Sequence, residues 1–70
     1  PDKRIYSGEA SVVTLPGTLG SFQVLKDHAP IVSTLQKGII KVRNTEGEHS
    51  FNILGGVVEV LKNKVTVLAD

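Results

Sequence analysis

Ile39-Ile40-Lys41-Val42-Arg43, then Asn44-Thr45-Glu46-Gly47, then Glu48-His49-Ser50-Phe51-Asn52-Ile53-Leu54 is the stretch whose reading decides the fold class. Ile40 and Val42 point one way and Lys41 and Arg43 the other, the two-residue period of a half-buried strand. Asn44–Gly47 has the composition of a hairpin loop, with Gly47 in a left-handed conformation. The chain then returns with His49, Phe51 and Ile53 on one face. His49 opens that inward row and is expected as a partly buried histidine at a strand end.

The same grammar runs outward from this hairpin. Towards the N-terminus, Ile31–Leu35 reads as a short strand turned back by Gln36-Lys37-Gly38. Ser21–Leu25 is another, with Phe22 and Val24 on one face, and Lys26–Pro30 is a turn. Glu9–Leu15 is a full strand. Bringing Ala10 onto the face of Val13 and Leu15 needs one extra residue, so a β-bulge is expected near Ser11-Val12. Pro16-Gly17 should end it, because proline cannot donate to a ladder. Arg4–Tyr6 is a short extended piece. Towards the C-terminus, Gly55-Gly56 breaks the chain, as a bulge or where another backbone comes close. Val57–Leu61 and Val65–Ala69 flank the tight polar turn Lys62-Asn63-Lys64. About seven short strands at regular spacing predict an all-β domain, a sandwich or closed barrel of short antiparallel strands. Its core should comprise Val13, Leu15, Phe22, Val24, Ile40, Val42, Phe51, Ile53, Val58, Val60, Val65 and Val67. Leu19, Leu25 and Leu54 fall outside it and are the apolar residues expected at partner contacts.

Length and composition bound the rest. Seventy residues allow one small domain spanning residues 1–70, of the size that buries only about 60% of its unfolded surface. There is no cysteine, so neither a disulfide nor a thiolate zinc site can reinforce it. Eight basic and seven acidic residues leave a formal net charge of +1, which argues against a nucleic-acid arm or an acidic tail. No apolar run reaches the ~20 residues of a membrane helix. No secretory signal is visible in the opening Pro1-Asp2-Lys3-Arg4.

No chemical constellation stands out. His28 beside Asp27, with serines available, allows a Ser/His/Asp site by composition. The Gly-x-Ser-x-Gly nucleophile turn and a helix to carry it are both absent. His28 reads better as a turn residue bonded to nearby backbone. His28 and His49 lack a further ligand at metal spacing, and adjacent strand residues point to opposite faces. Gly17-x-x-Gly20 and Gly55-Gly56 lack the lysine-serine pair and the helix N-terminus of a phosphate loop. Lys26, Lys37, Lys41, Lys62, Lys64 and Arg43 could form a basic face, which keeps a small nucleic-acid-binding β-barrel as the alternative function. Against it, these charges cluster at turns, and three aromatics, Tyr6, Phe22 and Phe51, are too few for base stacking. The residues alone favour a non-catalytic interaction module without cofactor or metal.

The order of the motifs says more. Tyr6-Ser7-Gly8-Glu9, Leu15-Pro16-Gly17-Thr18-x-Gly20, His28-Ala29-Pro30 with Ser33-x-Leu35 and Gly38, Gly55-Gly56-Val57-Val58-Glu59-Val60, and Val65-Thr66-Val67-Leu68-Ala69-Asp70 follow one another along the chain. Together they resemble the N-terminal domain of the epsilon subunit of F-type ATP synthase, over essentially the whole sequence. The resemblance implies a flattened β-sandwich or barrel of about ten short strands without the C-terminal helical hairpin. It implies a non-catalytic central-stalk subunit held between the gamma subunit and the c-ring, coupling proton-driven rotation to ATP synthesis. The location implied is peripheral on the energy-coupling membrane, most simply the cytoplasmic side of a bacterial inner membrane, with no direct membrane insertion and no nucleic-acid partner.

Residue by residue, the resemblance puts Gly17, Thr18, Leu19, Gly20 and Ser21 in the loop facing the c-ring, and His28, Ser33 and Leu54 on the gamma-facing surface. Ser21 stands where relatives often carry an acidic residue, and Lys26-Asp27 replaces the usual Pro-Gly before His-Ala-Pro. The family also has a strand ahead of the position of Pro1 and helices after Asp70. A sheet without that strand is expected to carry an open edge.

Overall fold

Two strands much longer than the sequence suggests organise the computed structural model, which describes residues 3–70. In chain order the strands are β1 (Lys3–Glu9), β2 (Val12–Gly17), β3 (Gly20–Leu25), β4 (Ile31–Asn44), β5 (Gly47–Leu61) and β6 (Lys64–Ala69). They form one antiparallel sheet in the order β1-β6-β5-β4-β2-β3. No helix occurs among the described residues.

β4 and β5 pair in one register from Ile31↔Val60 to Asn44↔Gly47. Halfway along they bend together, and the bend changes which residues face inward. In the first half of β4 the inward set is Ile31, Ser33 and Leu35; in the second it is Gly38, Ile40 and Val42. β5 changes phase in the same place, from Phe51 and Ile53 to Val58 and Val60. The first half of β4 and the second half of β5 join β6 and β1 as one layer. The remaining halves join β2 and β3 as the other. The folded sheet measures only 26 × 23 × 21 Å. This is the small β-sandwich anticipated, built by folding one sheet over.

The expected turn at Gln36-Lys37-Gly38 and the break at Gly55-Gly56 are therefore corrected: both lie inside continuous strands. The glycines serve close approach. A Cβ on Gly38 would come within 2.8 Å of Pro16, and one on Gly56 would run into the carbonyl oxygen of Leu68 on β6. The reading of Gly55-Gly56 as a place where another backbone comes close thus holds at Gly56. Pro16-Gly17 does not end β2 but forms its last two residues, paired with Ser21 and Gly20. Beside Pro16 the β2–β4 ladder is interrupted, since Thr14 pairs with Lys41 and Gly17 with Leu35, and the Gly38 backbone lies against the proline ring there. The missing donor is thereby accommodated. The bulge expected at Ser11-Val12 is also corrected. There the chain breaks between β1 and β2, while the irregular residue is Ile5, between the pairs Arg4↔Leu68 and Tyr6↔Val67.

The buried cluster holds Val13, Leu15, Val24, Leu35, Ile40, Val42, Ile53, Val58, Val60, Val65, Val67 and Ala69. Phe22 and Phe51 are half-buried and pack against it, rather than lying within it. Phe22 sits on the edge strand β3, and Phe51 lies where Tyr6 of the other layer covers it at a centroid distance of 6.1 Å. Leu35 and Ala69 take their places. The expectation of a partly buried His49 is corrected: it pairs with Val42 near the β4–β5 hairpin loop but is exposed.

Turn chemistry follows the sequence. Gly47 has φ 123°, and the Asn44 side-chain oxygen accepts the Glu46 N–H at 2.9 Å. Lys62 and Asn63 both have positive φ, 51° and 65°, as the two-residue loop between β5 and β6 requires.

Candidate functional site

Thr18 and Leu19 form the tip of the β2–β3 hairpin, closed by the pair Gly17↔Gly20. Gly17 is buried and crowded: a Cβ there would lie 2.7 Å from both the Gly20 carbonyl oxygen and the Phe22 ring. Gly20 has φ 133°, a conformation that side-chain-bearing residues avoid, with open space around it. The loop therefore owes its shape to two glycines acting for different reasons. Its position is fixed by the Thr18 N–H, which donates to the Thr34 carbonyl at 3.3 Å, and by the two threonine hydroxyls, 3.0 Å apart. Leu19 is left fully in solvent.

Beside this loop runs a groove of about 610 Å³ lined by residues 17–22 and 31–34. It brings the candidate loop residues Gly17, Thr18, Leu19, Gly20 and Ser21 together with the candidate Ser33. Ser33 is partly buried, and its hydroxyl donates to the Thr34 carbonyl at 3.2 Å. His28 is not among them. It stands exposed in the β3–β4 turn, its N–H donating to the Leu25 carbonyl at 3.1 Å and its ring Nδ1 2.6 Å from the Ala29 carbonyl oxygen. That is the backbone-bonded turn residue anticipated. Leu54 lies elsewhere again, on β5 at the bend, 69% exposed. A second groove of about 410 Å³ is lined by Lys37, Gly38, Ile39, Asn52, Ile53 and Leu54.

Leu19, Leu25 and Leu54, the apolar residues expected outside the core, are all exposed. Val32, Ile39, Leu61 and Leu68 are exposed as well and were missed. The signal for Ile39 was present, since it precedes the inward Ile40 in strict alternation. For Val32 the signal was masked by the unrecognised phase change along β4.

Chemistry has little to work with here. Among the described residues no three His, Cys, Asp or Glu side chains converge to hold a metal. No described polar or charged residue is buried. Tyr6, Phe22 and Phe51 are each partly covered by the protein, so they offer no open stacking platform for bases. The sole ion pair among the described residues, Arg43 to Glu48 at 3.4 Å, is solvent-exposed and contributes little. What the surface does present is a shaped loop and apolar positions on rigid strands.

The comparisons agree with that picture. The family model described as the ATP synthase delta/epsilon chain β-sandwich domain matches residues 1–70. The chain is 39% identical to the ATP synthase epsilon chain of Leptospira borgpetersenii serovar Hardjo-bovis, covering 100% of this chain and 55% of the relative. It is 43% identical to the chloroplastic ATP synthase epsilon chain of Tetradesmus obliquus, covering 100% and 52%. It is also 43% identical to the ATP synthase epsilon chain of Bordetella parapertussis, covering 99% and 50%. The chain thus spans about half the length of the curated relatives it matches.

Proposed function

This chain belongs to the family of the ATP synthase delta/epsilon chain β-sandwich domain, and from that premise we propose that it acts as the β-sandwich part of an epsilon subunit. In this reading it is a non-catalytic element of the central stalk of a proton-translocating F-type ATP synthase. It binds the gamma subunit and the c-ring and couples proton-driven rotation to ATP synthesis. It works as part of a complex peripheral to the energy-coupling membrane, on the cytoplasmic side in a bacterium.

The observation that carries the proposal is the combination of a rigid folded sheet with a fully exposed Leu19 at the tip of a loop held by Thr18 and Thr34. Transmission of torque requires surfaces that do not yield. β4 and β5 supply this, because one unbroken register ties both layers. The loop Gly17–Ser21 is assigned to the c-ring contact, and His28, Ser33 and Leu54 to the gamma contact. Ser33 shares its groove with the loop, so the two contacts adjoin there, whereas Leu54 marks a separate point of attachment.

The test is co-purification of the tagged chain with gamma and the c-ring after reconstitution. Retention of all three is the expected result. Elution of the chain alone, together with salt-dependent binding to single-stranded DNA, would favour the nucleic-acid-binding barrel instead.

A further inference from the structure

At the end of the β2–β3 hairpin opposite Thr18 and Leu19 lies a pocket of about 350 Å³, within the size range of small-molecule sites. Four connections meet there: Ser11 lies between β1 and β2, Lys26 follows β3, Asn44 and Thr45 stand at the β4–β5 hairpin, and Asn63 lies between β5 and β6. Hydrogen bonds tie these connections to one another. Ser11 donates to the Arg43 carbonyl through its N–H at 2.9 Å and its hydroxyl at 3.1 Å, and its own carbonyl accepts the Lys26 N–H at 3.0 Å. Asn63 is bonded to Asp27, next to Lys26. The walls are therefore fixed without a ligand. None of Gly17–Ser21, His28, Ser33 or Leu54 lines the pocket.

Asn44 and Asn63 are half-buried, and the backbone dictates which way their amides face. The Asn44 oxygen accepts the Glu46 N–H at 2.9 Å, and the Asn63 oxygen accepts the Asp27 N–H at 2.6 Å. Each side-chain nitrogen carries two donors. One from Asn44 goes to the Tyr6 hydroxyl at 3.3 Å, and one from Asn63 to the Asp27 carboxylate at 3.1 Å. The second N–H of each amide has no acceptor among the described residues. The Thr45 hydroxyl and the Lys26 ammonium have no partner among them either, and all four residues line this one pocket. The other charges in the lining are answered elsewhere. Arg43 pairs with Glu48 at 3.4 Å, and Glu9 stands opposite Lys64 in the β1–β6 ladder. Lys26 is left as a single positive charge beside three neutral donors.

We propose that this pocket binds a small carboxylic acid as its monoanion. A carboxylate offers about four acceptor positions on two oxygens, which suits the donors of Asn44, Asn63, Thr45 and Lys26. One negative charge neutralises Lys26, whereas a phosphate dianion would hold its second charge against Glu9. More of the wall is apolar than polar, so the body of the acid is apolar. The site needs neither gamma nor the c-ring, so its test is separate from that of the stalk reading.

The experiment follows the amide resonances of the isotope-labelled chain by NMR during titration with benzoate, acetate, benzyl alcohol and inorganic phosphate. Benzoate should shift the side-chain amide signals of Asn44 and Asn63 saturably, with a Kd on the order of 1 mM, as suits a ligand of this size. Acetate should shift the same signals more weakly. Benzyl alcohol, which has the ring without the charge, should bind about tenfold more weakly than benzoate. Thr45→Val and Lys26→Gln should each weaken benzoate binding roughly fivefold. Asn44→Asp keeps the oxygen that accepts the Glu46 N–H and puts a negative charge in place of the donor, so it should abolish binding. Lys37→Gln, outside the pocket, should leave binding unchanged. Thermal melts verify that each variant is folded. Absence of a saturable shift with both carboxylates, equal affinity for benzyl alcohol, tighter binding of phosphate, or benzoate affinity that survives in folded Asn44→Asp would each overturn the proposal.

Discussion

Asp27 and Asn63, thirty-six residues apart, hold each other by two hydrogen bonds: the Asp27 N–H donates to the Asn63 side-chain oxygen at 2.6 Å, and the Asn63 amide donates to the Asp27 carboxylate at 3.1 Å. Both residues have positive φ, 66° and 65°. Asp and Asn tolerate that conformation better than other side-chain-bearing residues. The pair ties the β3–β4 turn to the β5–β6 turn, so it joins two connections that lie far apart in sequence.

Replacing Asn63 by glycine keeps the backbone conformation and removes both bonds. The loss expected is about 1–2 kcal/mol, given a net value of roughly 0.5–1.5 kcal/mol per hydrogen bond and the solvent exposure of the site. For a domain of this size, each 1 kcal/mol lowers the melting temperature by about 4–8 °C. Asp27→Gly, which keeps the positive φ and removes only the carboxylate bond, should cost little further when combined with Asn63→Gly, which a double-mutant cycle of thermal melts would measure.

Gly56 is the position most sensitive to a single methyl group. The Cβ of Gly56→Ala would collide with the Leu68 carbonyl oxygen and crowd Ala69, both of them backbone-held. Overpacking of this kind typically costs about 1–3 kcal/mol. Gly55→Ala, with its nearest neighbour at 3.6 Å, should be nearly neutral. Chemical denaturation of the two variants compares adjacent glycines directly, and equal midpoints would contradict the close approach of β6.

Alternation made the core legible. Ten of the twelve buried hydrophobic residues were in the expected core, most plainly Ile40 and Val42, whereas Glu9–Leu15 gave no clean alternation for Val13 and Leu15. It failed where β4 and β5 bend, because folding a sheet over changes which parity faces inward. Gln36 and Lys37 are consecutive and both exposed, a pattern that resembles a turn when one strand is read alone. Leu35, buried at the end of its half-strand, was lost to the same error. His49 could not be placed from its own strand: alternation put it on the inward face, and it is exposed near the hairpin loop. Leu19 and Leu54 were legible as exposed apolar positions, whereas Gly17, Thr18, Gly20, Ser21, His28 and Ser33 were singled out as contacts only through the resemblance. Nothing in Ser33 or Thr34 themselves marks the groove they share with Gly17–Ser21.

Gly20→Val tests the loop. The space around Gly20 is open, so the penalty comes from φ 133° alone. Such backbone strain costs about 1–3 kcal/mol, which an exposed loop relieves by moving. In vesicles carrying the assembled synthase, proton pumping per ATP hydrolysed should fall. An unchanged ratio in fully assembled complexes would remove this loop from the coupling contact.

The sheet ends in β1 on one side and β3 on the other. β1 carries Lys3, Arg4 and the irregularity at Ile5, features that discourage edge pairing. β3, Gly20–Leu25, carries no charge and no bulge.

The claim that this fold acts by binding gamma is tested most directly by calorimetric titration of gamma with the chain and with its Leu54→Asp variant. Leu54 is 69% exposed, so the variant should melt like the parent. Charge placed in an apolar contact should cost on the order of 2 kcal/mol of binding, about thirtyfold in Kd. Saturable binding by the parent and that loss in a folded variant are the predicted result. A parent that does not bind, or a folded variant that binds equally well, would contradict it.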